Sequence, residues 1–369
     1  MIGQPRRLRI ACYVAGLTGL GHYTRMATLA GVLADGHDVT LVNAGRGQPG
    51  RTPFRQVDLP ALPTRDGRVQ LPDPADGCWM ARADVIQLAV ATAPPDVVLV
   101  EHYPFSKWEL GPEIDRLLHA ARSVAPDVVV LSSVRDIVGR TRRERIGEEE
   151  FAAQVRDRIA SFDGLLVHGD PDLLPLSASF PTAGDLPVPV HHTGYVVDPQ
   201  VADPVDGSSR SGVLVAAGGG AEQADFLAQA HRAAAVVAPG AEVTVFSGPF
   251  GDGGGGPSRP RADYLRAVRR SAVAITRAGY NSVVELWASA VPAVLVPDRR
   301  MSDQVQRAAA FASRGAGITV EEAELRAESA SLAERLGEAV ERRGVIDMDG
   351  ARRTRALIEE VCRSRREDG

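Results

Sequence analysis

Three stretches of this chain combine close backbone approach with groups that hold anions, accept hydroxyls or move protons. In the first, Ala15-Gly16-Leu17-Thr18-Gly19-Leu20-Gly21-His22, an imidazole follows three glycines, and Arg25 lies three residues further on. In the second, Arg277-Ala278-Gly279-Tyr280-Asn281-Ser282 leads to Glu285, and in the third Ser302 precedes Asp303-Gln304. Glycine lets backbone approach a ligand closely, and the N–H groups of a helix start favour negative charge. A carboxylate one turn into such a helix can accept hydrogen bonds from the vicinal hydroxyls of a ribose. An imidazole with an ordinary pKa of about 6.5 exchanges protons at neutral pH. A phosphate site beside a hydroxyl site, with a base to hand, describes a nucleotide-sugar pocket.

Each group also has a plainer reading. A cation in the first helical turn opposes the helix dipole by roughly 0.3–1 kcal/mol, so Arg25 points to an anionic neighbour. The alternative is a solvated arginine and a histidine that only caps the turn. Ser282-Val283-Val284-Glu285 fits a capping box, in which the glutamate would serve the helix itself. Gly218-Gly219-Gly220 repeats the strand-to-glycine pattern, either to cradle a diphosphate or merely to turn the chain. Glu101-His102-Tyr103-Pro104-Phe105 and Ser132-Ser133-Val134-Arg135-Asp136 each follow an apolar run directly and are candidates for the acceptor side. Asp136 is the second candidate for the base after His22, or else a partner of Arg135 or a turn cap. Asp170-Pro171-Asp172 has the look of a paired-carboxylate metal site but sits where turn residues sit, and His191-His192 has no partner at ligand spacing. No metal is expected.

The elements that must position these groups alternate strand and helix. Leu8-Val14 reads as a strand, His22-Ala34 as a helix with Met26, Leu29, Ala30 and Leu33 inward, and Val39-Val42 as the next strand. Residues 45–78 are rich in Pro, Gly and Asp and read as loop with one short strand. Val85-Thr92, Ile114-Ser123 and Glu148-Ile159 follow a helical pattern, while Asp96-Glu101, Asp127-Leu131 and Gly164-Val167 are short apolar runs suited to a buried parallel sheet. Residues 196–212 break the pattern with Pro, Asp, Gly and Ser and form the best linker. A second alternating unit then runs through Val213-Ala217, Phe226-Val237, Val243-Phe246, a glycine-rich loop at 251–256, and strands at Val273-Ile275 and Val294-Val296. Ser329-Arg342 and Gly350-Arg366 close the chain as helices. The expected organisation is an acceptor-binding domain over 1–198, a linker over 199–212, a nucleotide-sugar domain over 213–345, and a final helix over 346–369.

Composition narrows the function classes. The chain has 369 residues and a formal net charge of −5, which argues against a nucleic-acid binder. Of its 42 basic residues one alone, Lys107, is lysine, a bias that reads as genomic base composition. Its three cysteines, Cys12, Cys78 and Cys362, are too scattered for a disulfide framework or a zinc site. No signal segment precedes the first strand and no apolar run approaches the ~20 residues that span a bilayer, so a cytoplasmic protein without a transmembrane segment is expected.

Together, AGLTGLGH near the amino end and TRAGYNSVVELWASAVPAVLVP followed by Asp303-Gln304 resemble the GT-B glycosyltransferases, in particular the family of bacterial cell-wall GlcNAc transferases. VEHYPF, SSVRDI, VHGDPDLL and VFSGPF resemble a related group of predicted glycosyltransferases. The resemblance implies an α/β GT-B fold, two Rossmann-like domains facing a central cleft, with the last helix crossing back to the first domain. It implies donor contacts at Gly218, Gly219, Gly220, Ser247, Arg277, Gly279, Asn281 and Ser282, a ribose contact at Glu285, and sugar contacts at Asp303 and Gln304. Gly19, Gly21, Arg25, Glu101, His102, Tyr103, Phe105 and Arg135 are the matching acceptor-side residues, with His22 or Asp136 as base. Transfer in such enzymes is usually inverting and metal-free; no cofactor is implied beyond the nucleoside diphosphate sugar as co-substrate, and the acceptor is a small molecule. In the cell-wall family an arginine near the inter-domain turn reads uracil. Thr193-Gly194-Tyr195-Val196-Val197-Asp198 offers Asp198 there, which leaves dTDP and GDP open beside UDP. Rival readings are a nucleotide-sugar hydrolase, a 2-epimerase of the same fold, and a non-catalytic nucleotide-sugar-binding partner.

Overall fold

The computed structural model describes residues 6–17, 19–45, 52–65, 68–73, 76–202, 210–218, 223–248, 261–327 and 329–367. The chain divides into two compact units. One comprises Met1–Pro171, Pro175–Val196 and Asp349–Gly369; the other comprises Asp172–Leu174 and Val197–Met348.

The first unit is built on strands β1 (Arg9–Val14), β2 (Asp38–Asn43) and β3 (Arg55–Asp58), a small hairpin of β4 (Thr64–Arg65) and β5 (Arg68–Val69), and strands β6 (Val97–Glu101), β7 (Val129–Arg135), β8 (Gly164–His168) and β9 (Val190–His192). Its helices are α1 (Gly21–Ala34), α2 (Gly77–Thr92), α3 (Gly111–Val124), α4 (Arg140–Ile146) and α5 (Glu148–Ile159). Apart from the hairpin, the strands form one seven-stranded parallel sheet in the order β3-β2-β1-β6-β7-β8-β9. Runs such as Val97-Val98-Leu99-Val100 are buried throughout, as strands covered on both faces must be. The winding reverses between β1 and β6, the switch point beside which open α/β sheets bind ligands. Register places Glu101 opposite Ser133 and Arg135 opposite His168, so the carboxyl ends of β6, β7 and β8 come together there.

Several elements differ from the expected pattern. Helix α2 begins at Gly77 rather than Val85, because the Asp76 carboxylate accepts from the Cys78 N–H and caps it early. The stretch 45–78 holds β3 and the hairpin, and β9 extends the sheet through His191-His192.

The second unit contains α6 (Pro199–Ala202), β10 (Val213–Ala216), α7 (Ala224–Val237), β11 (Val243–Phe246), α8 (Arg261–Arg270), β12 (Val273–Thr276), α9 (Tyr280–Ala288), β13 (Ala293–Leu295), α10 (Ser302–Ser313), β14 (Gly317–Thr319), α11 (Glu324–Ala327) and α12 (Ser329–Val340). Its sheet is wholly parallel, in the order β11-β10-β12-β13-β14. The reversal here falls between β10 and β12, ahead of Gly218 and Gly279. Helix α8 has no counterpart in the sequence reading: only Leu265 and Val268 of its ten residues are buried.

The final helix, α13 (Gly350–Glu367), belongs to the first unit, where Ile358 and Cys362 join Leu29 and Leu33 of α1 in one apolar cluster. Among the described residues no helix is long and apolar enough to cross a membrane.

Candidate active site

In the first unit the switch point holds a tight polar cluster around one carboxylate. His22 stands in the first turn of α1, and its Nδ1 lies 2.5 Å from Glu101 Oε1 at the end of β6. Arg25, one turn on, donates to the same oxygen at 3.0 Å and to Ser133 Oγ at 3.0 Å. Lys107 Nζ donates to Glu101 Oε2 at 2.7 Å. Ser133 Oγ is 2.8 Å from His168 Nε2, whose Nδ1 is 2.8 Å from Thr193 Oγ1. Neither plainer reading of His22 and Arg25 survives. Arg25 is buried, and the His22 ring bonds Glu101.

The charges settle the protonation states. Burial alone would raise Glu101, but the hydrogen bond from His22 and the charges of Lys107 and Arg25 outweigh it and hold the carboxyl well below the usual range. Burial and the facing Arg135 guanidinium pull His22 down to about 3, against the opposing influence of Glu101. His22 is therefore a neutral ring donating Nδ1–H to Glu101, which leaves the lone pair on Nε2. Its side chain keeps 24% exposure while Glu101 has none, so the imidazole is the reachable member of the pair. The arrangement is an imidazole that a buried carboxylate orients and that can accept a proton at Nε2.

The loop after β6 closes the cluster. His102 and Lys107 both adopt left-handed backbone, at φ 60° and 62°. For residues other than glycine this costs about 1–3 kcal/mol each and persists where the surroundings enforce it. His102 packs its ring 5.1 Å from that of His22, and its Nδ1 is buried with no hydrogen-bond partner among the described residues. Ligand atoms of His22, Glu101 and His102 lie within 4.8 Å of one another, a spacing a metal ion could use. However, both Glu101 oxygens already face cations, and a further cation there would meet Lys107 and Arg25.

Three residues expected on the acceptor side or as base are placed otherwise. Phe105 is fully buried edge-on against Phe180, and Tyr103 lies in the same core, so both anchor the loop from beneath. Asp136 is buried, with Oδ1 accepting from the Ile137 N–H and Oδ2 from Tyr195 Oη at 3.2 Å. Its carboxylate is turned inward, away from the role of second base. Arg135 is half-buried at the end of β7, and Gly19 and Gly21 flank the start of α1.

In the second unit Gly279 caps α9, and Ser282 lies within the helix rather than at its cap. The capping box is thereby excluded. Glu285 instead places Oε1 2.5 Å from Arg261 Nη2, which also reaches Asp198 Oδ2 at 3.3 Å. Burial pushes the Glu285 carboxyl up, against the pull of Arg261. Its Oε2 is buried and has no hydrogen-bond partner among the described residues. Gly279 has ordinary extended backbone (φ −67°), and an added Cβ would meet only Ser282 Oγ, at 4.0 Å. Among the described residues nothing requires glycine there, and the space in front of the helix start is open. Gly218 closes β10 with φ 73°, also facing open space. Gly219 and Gly220 lie outside the described residues.

Arg277 and Gln304, both named for the donor set, have side-chain bonds within the protein. Arg277 donates to Gln223 and Glu322 and stacks on Phe226, so its guanidinium braces the sheet edge. Gln304 Oε1 accepts from the N–H groups of Ala278 and Asp298, tying together the loops after β12 and β13. Asp303 pairs with Arg307 at 2.7 Å, and Asn281 and Ser247 are half-buried at the same edge.

Two parallel Rossmann-like units, with the last helix returning to the first, define the GT-B superfamily of glycosyltransferase folds, and this chain has that fold. Residues 261–352 match the glycosyltransferase family 28 C-terminal domain. A stretch of 77 residues is 40% identical to the UDP-N-acetylglucosamine--N-acetylmuramyl-(pentapeptide) pyrophosphoryl-undecaprenol N-acetylglucosamine transferase of Synechococcus sp. (strain JA-3-3Ab), covering 18% of this chain and 21% of that one. Nearly the whole chain is similar in structure to several solved proteins. The glycotransferase of kitacinnamycin superposes with a TM-score of 0.54 at 16% identity, covering 98% of this chain and 96% of that one. MurG of Acinetobacter baumannii gives 0.54 at 15%, covering 96% and 100%. A UDP-glucosyltransferase from Polygonum tinctorium capable of glucosylating indoxyl gives 0.58 at 12%, covering 99% and 100%.

Proposed function

We propose that this protein transfers a sugar from a nucleoside diphosphate sugar to a hydroxyl of a small-molecule acceptor, with inversion and without a metal ion. The observation that carries the reading is the His22–Glu101 pair, a neutral imidazole held by a buried carboxylate with its other nitrogen open to a proton. His22 Nε2 takes the proton of the acceptor hydroxyl as that oxygen attacks the anomeric carbon. The bond from the anomeric carbon to the diphosphate breaks, and the leaving charge is met by N–H groups at the start of α9. Glu285 Oε2 accepts from the nucleoside's pentose, and the space in front of Gly279 admits the diphosphate. The crowding of Lys107 and Arg25 around Glu101 favours the metal-free route.

The reading is tested by incubating the protein with UDP-, dTDP- and GDP-sugars and following nucleoside diphosphate release, with and without candidate acceptors, in the presence of EDTA. Acceptor-dependent release that survives EDTA is expected. Release that ignores the acceptor would make the protein a hydrolase, and activity restored only by magnesium or manganese would overturn the metal-free route.

A further inference from the structure

We propose that Arg261 is a positioning residue for the donor site: it occupies one oxygen of Glu285 and thereby keeps the other an ionised, fixed acceptor for the pentose hydroxyls. The inference rests on the donor-site reading of Glu285 and adds a residue to it. Arg261 is the first residue of α8, one turn ahead of Leu265, whose burial anchors the helix. Its Nη2 bridges Glu285 Oε1 at 2.5 Å and Asp198 Oδ2 at 3.3 Å, so the arginine that holds Glu285 is itself held by a second carboxylate. Glu285 is all but inaccessible, whereas the Arg261 side chain keeps 22% exposure.

A lone buried carboxylic acid takes up a proton readily, and a protonated Glu285 would lose part of its capacity to accept from two hydroxyls. Burial pushes Glu285 up and Asp198 adds to that push, while Arg261 alone opposes it. Among the described residues Tyr264 of α8 is a further titratable group near this carboxylate. Two carboxylates share one guanidinium, so the cluster keeps a net negative charge. Such a charge welcomes hydroxyl donors and repels phosphate, which orients the nucleotide with its pentose at Glu285 and its diphosphate toward the glycine-flanked helix start.

Binding of UDP-glucose, dTDP-glucose and GDP-mannose is measured by calorimetry from pH 6.0 to 8.5. Their esterified diphosphates do not titrate in this range, and the tightest of the three is carried forward. The wild-type affinity is expected to stay within about threefold across the range. In Arg261→Ala it should fall as pH falls, by about tenfold per unit once Glu285 titrates, and Arg261→Lys should restore the flat profile. Glu285→Gln should bind weakly at every pH. Weakened but pH-independent binding in Arg261→Ala would make Arg261 a direct contact and overturn the proposal. Wild-type affinity in Glu285→Gln would overturn the donor reading of Glu285 instead, and failure of all three sugars to bind would overturn both.

Discussion

Glu101, at the end of β6, and Glu285, within α9, are both buried carboxylates, and they are finished to different degrees. Glu101 has every oxygen engaged, by His22, Arg25 and Lys107. Glu285 has one oxygen engaged by Arg261 and one without a partner among the described residues. A completed network fixes the state of a chemical group before any substrate arrives. An incomplete one carries a desolvation cost that a ligand's hydroxyls relieve. On the proposed reading, the difference gives chemistry to the first unit and donor binding to the second.

The largest expected effect separates the two carboxylates by stability. Glu101→Gln leaves Arg25 and Lys107 buried without their counter-charge and should cost about 3–5 kcal/mol. Glu285→Gln releases Arg261, which is partly exposed and still paired with Asp198, and should cost no more than about 1 kcal/mol. Urea denaturation of both variants checks this, and equal losses would erase the distinction.

A smaller effect is expected from pH. The half-buried ring of His22 and the buried rings of His102 and His168 are all pulled below the ordinary imidazole value, chiefly by burial. An unfolded chain protonates these rings near about 6.5 while the folded one resists, so their stability contribution is full above that value and is lost as pH falls below it. Glu285 and Asp115, both pushed up by burial, work in the opposite direction, but they are two groups against five once His37 and His192, likewise pulled down by burial, are added. Melting temperature should therefore decline from pH 7 to 5.5, before Glu101, held well below the carboxylate range, begins to lose its charge. A flat or rising profile would contradict the neutral-imidazole assignment.

Much of the fold was legible because buried parallel strands and glycine-ended βα turns leave strong local patterns. Helix α8 escaped because two buried apolar residues in ten make too faint a periodicity, and Arg261 escaped with it. His22, Arg25, Glu101 and His102, named from sequence, are brought into one cluster by the structure. Lys107 stands out in the sequence as the one lysine but reads there only as base composition; in the structure it is a compact point charge on Glu101. Arg277, Gln304 and Phe105, named for ligand contacts, show what the sequence leaves open. A sequence places a side chain at the sheet's edge but does not say whether it faces a ligand or braces the loop that does.

The central claim is that proton transfer and donor binding reside in different units, and parallel measurement of donor Kd and kcat in His22→Ala and Glu285→Ala tests it most directly. The account predicts that His22→Ala loses roughly 10²–10⁴-fold in kcat with donor affinity retained. Glu285→Ala should weaken donor binding by about ten- to a hundredfold, as lost hydrogen bonds to a charged group do, with kcat at saturating donor largely kept. Loss of the same parameter in both variants, or normal turnover in His22→Ala, would contradict it.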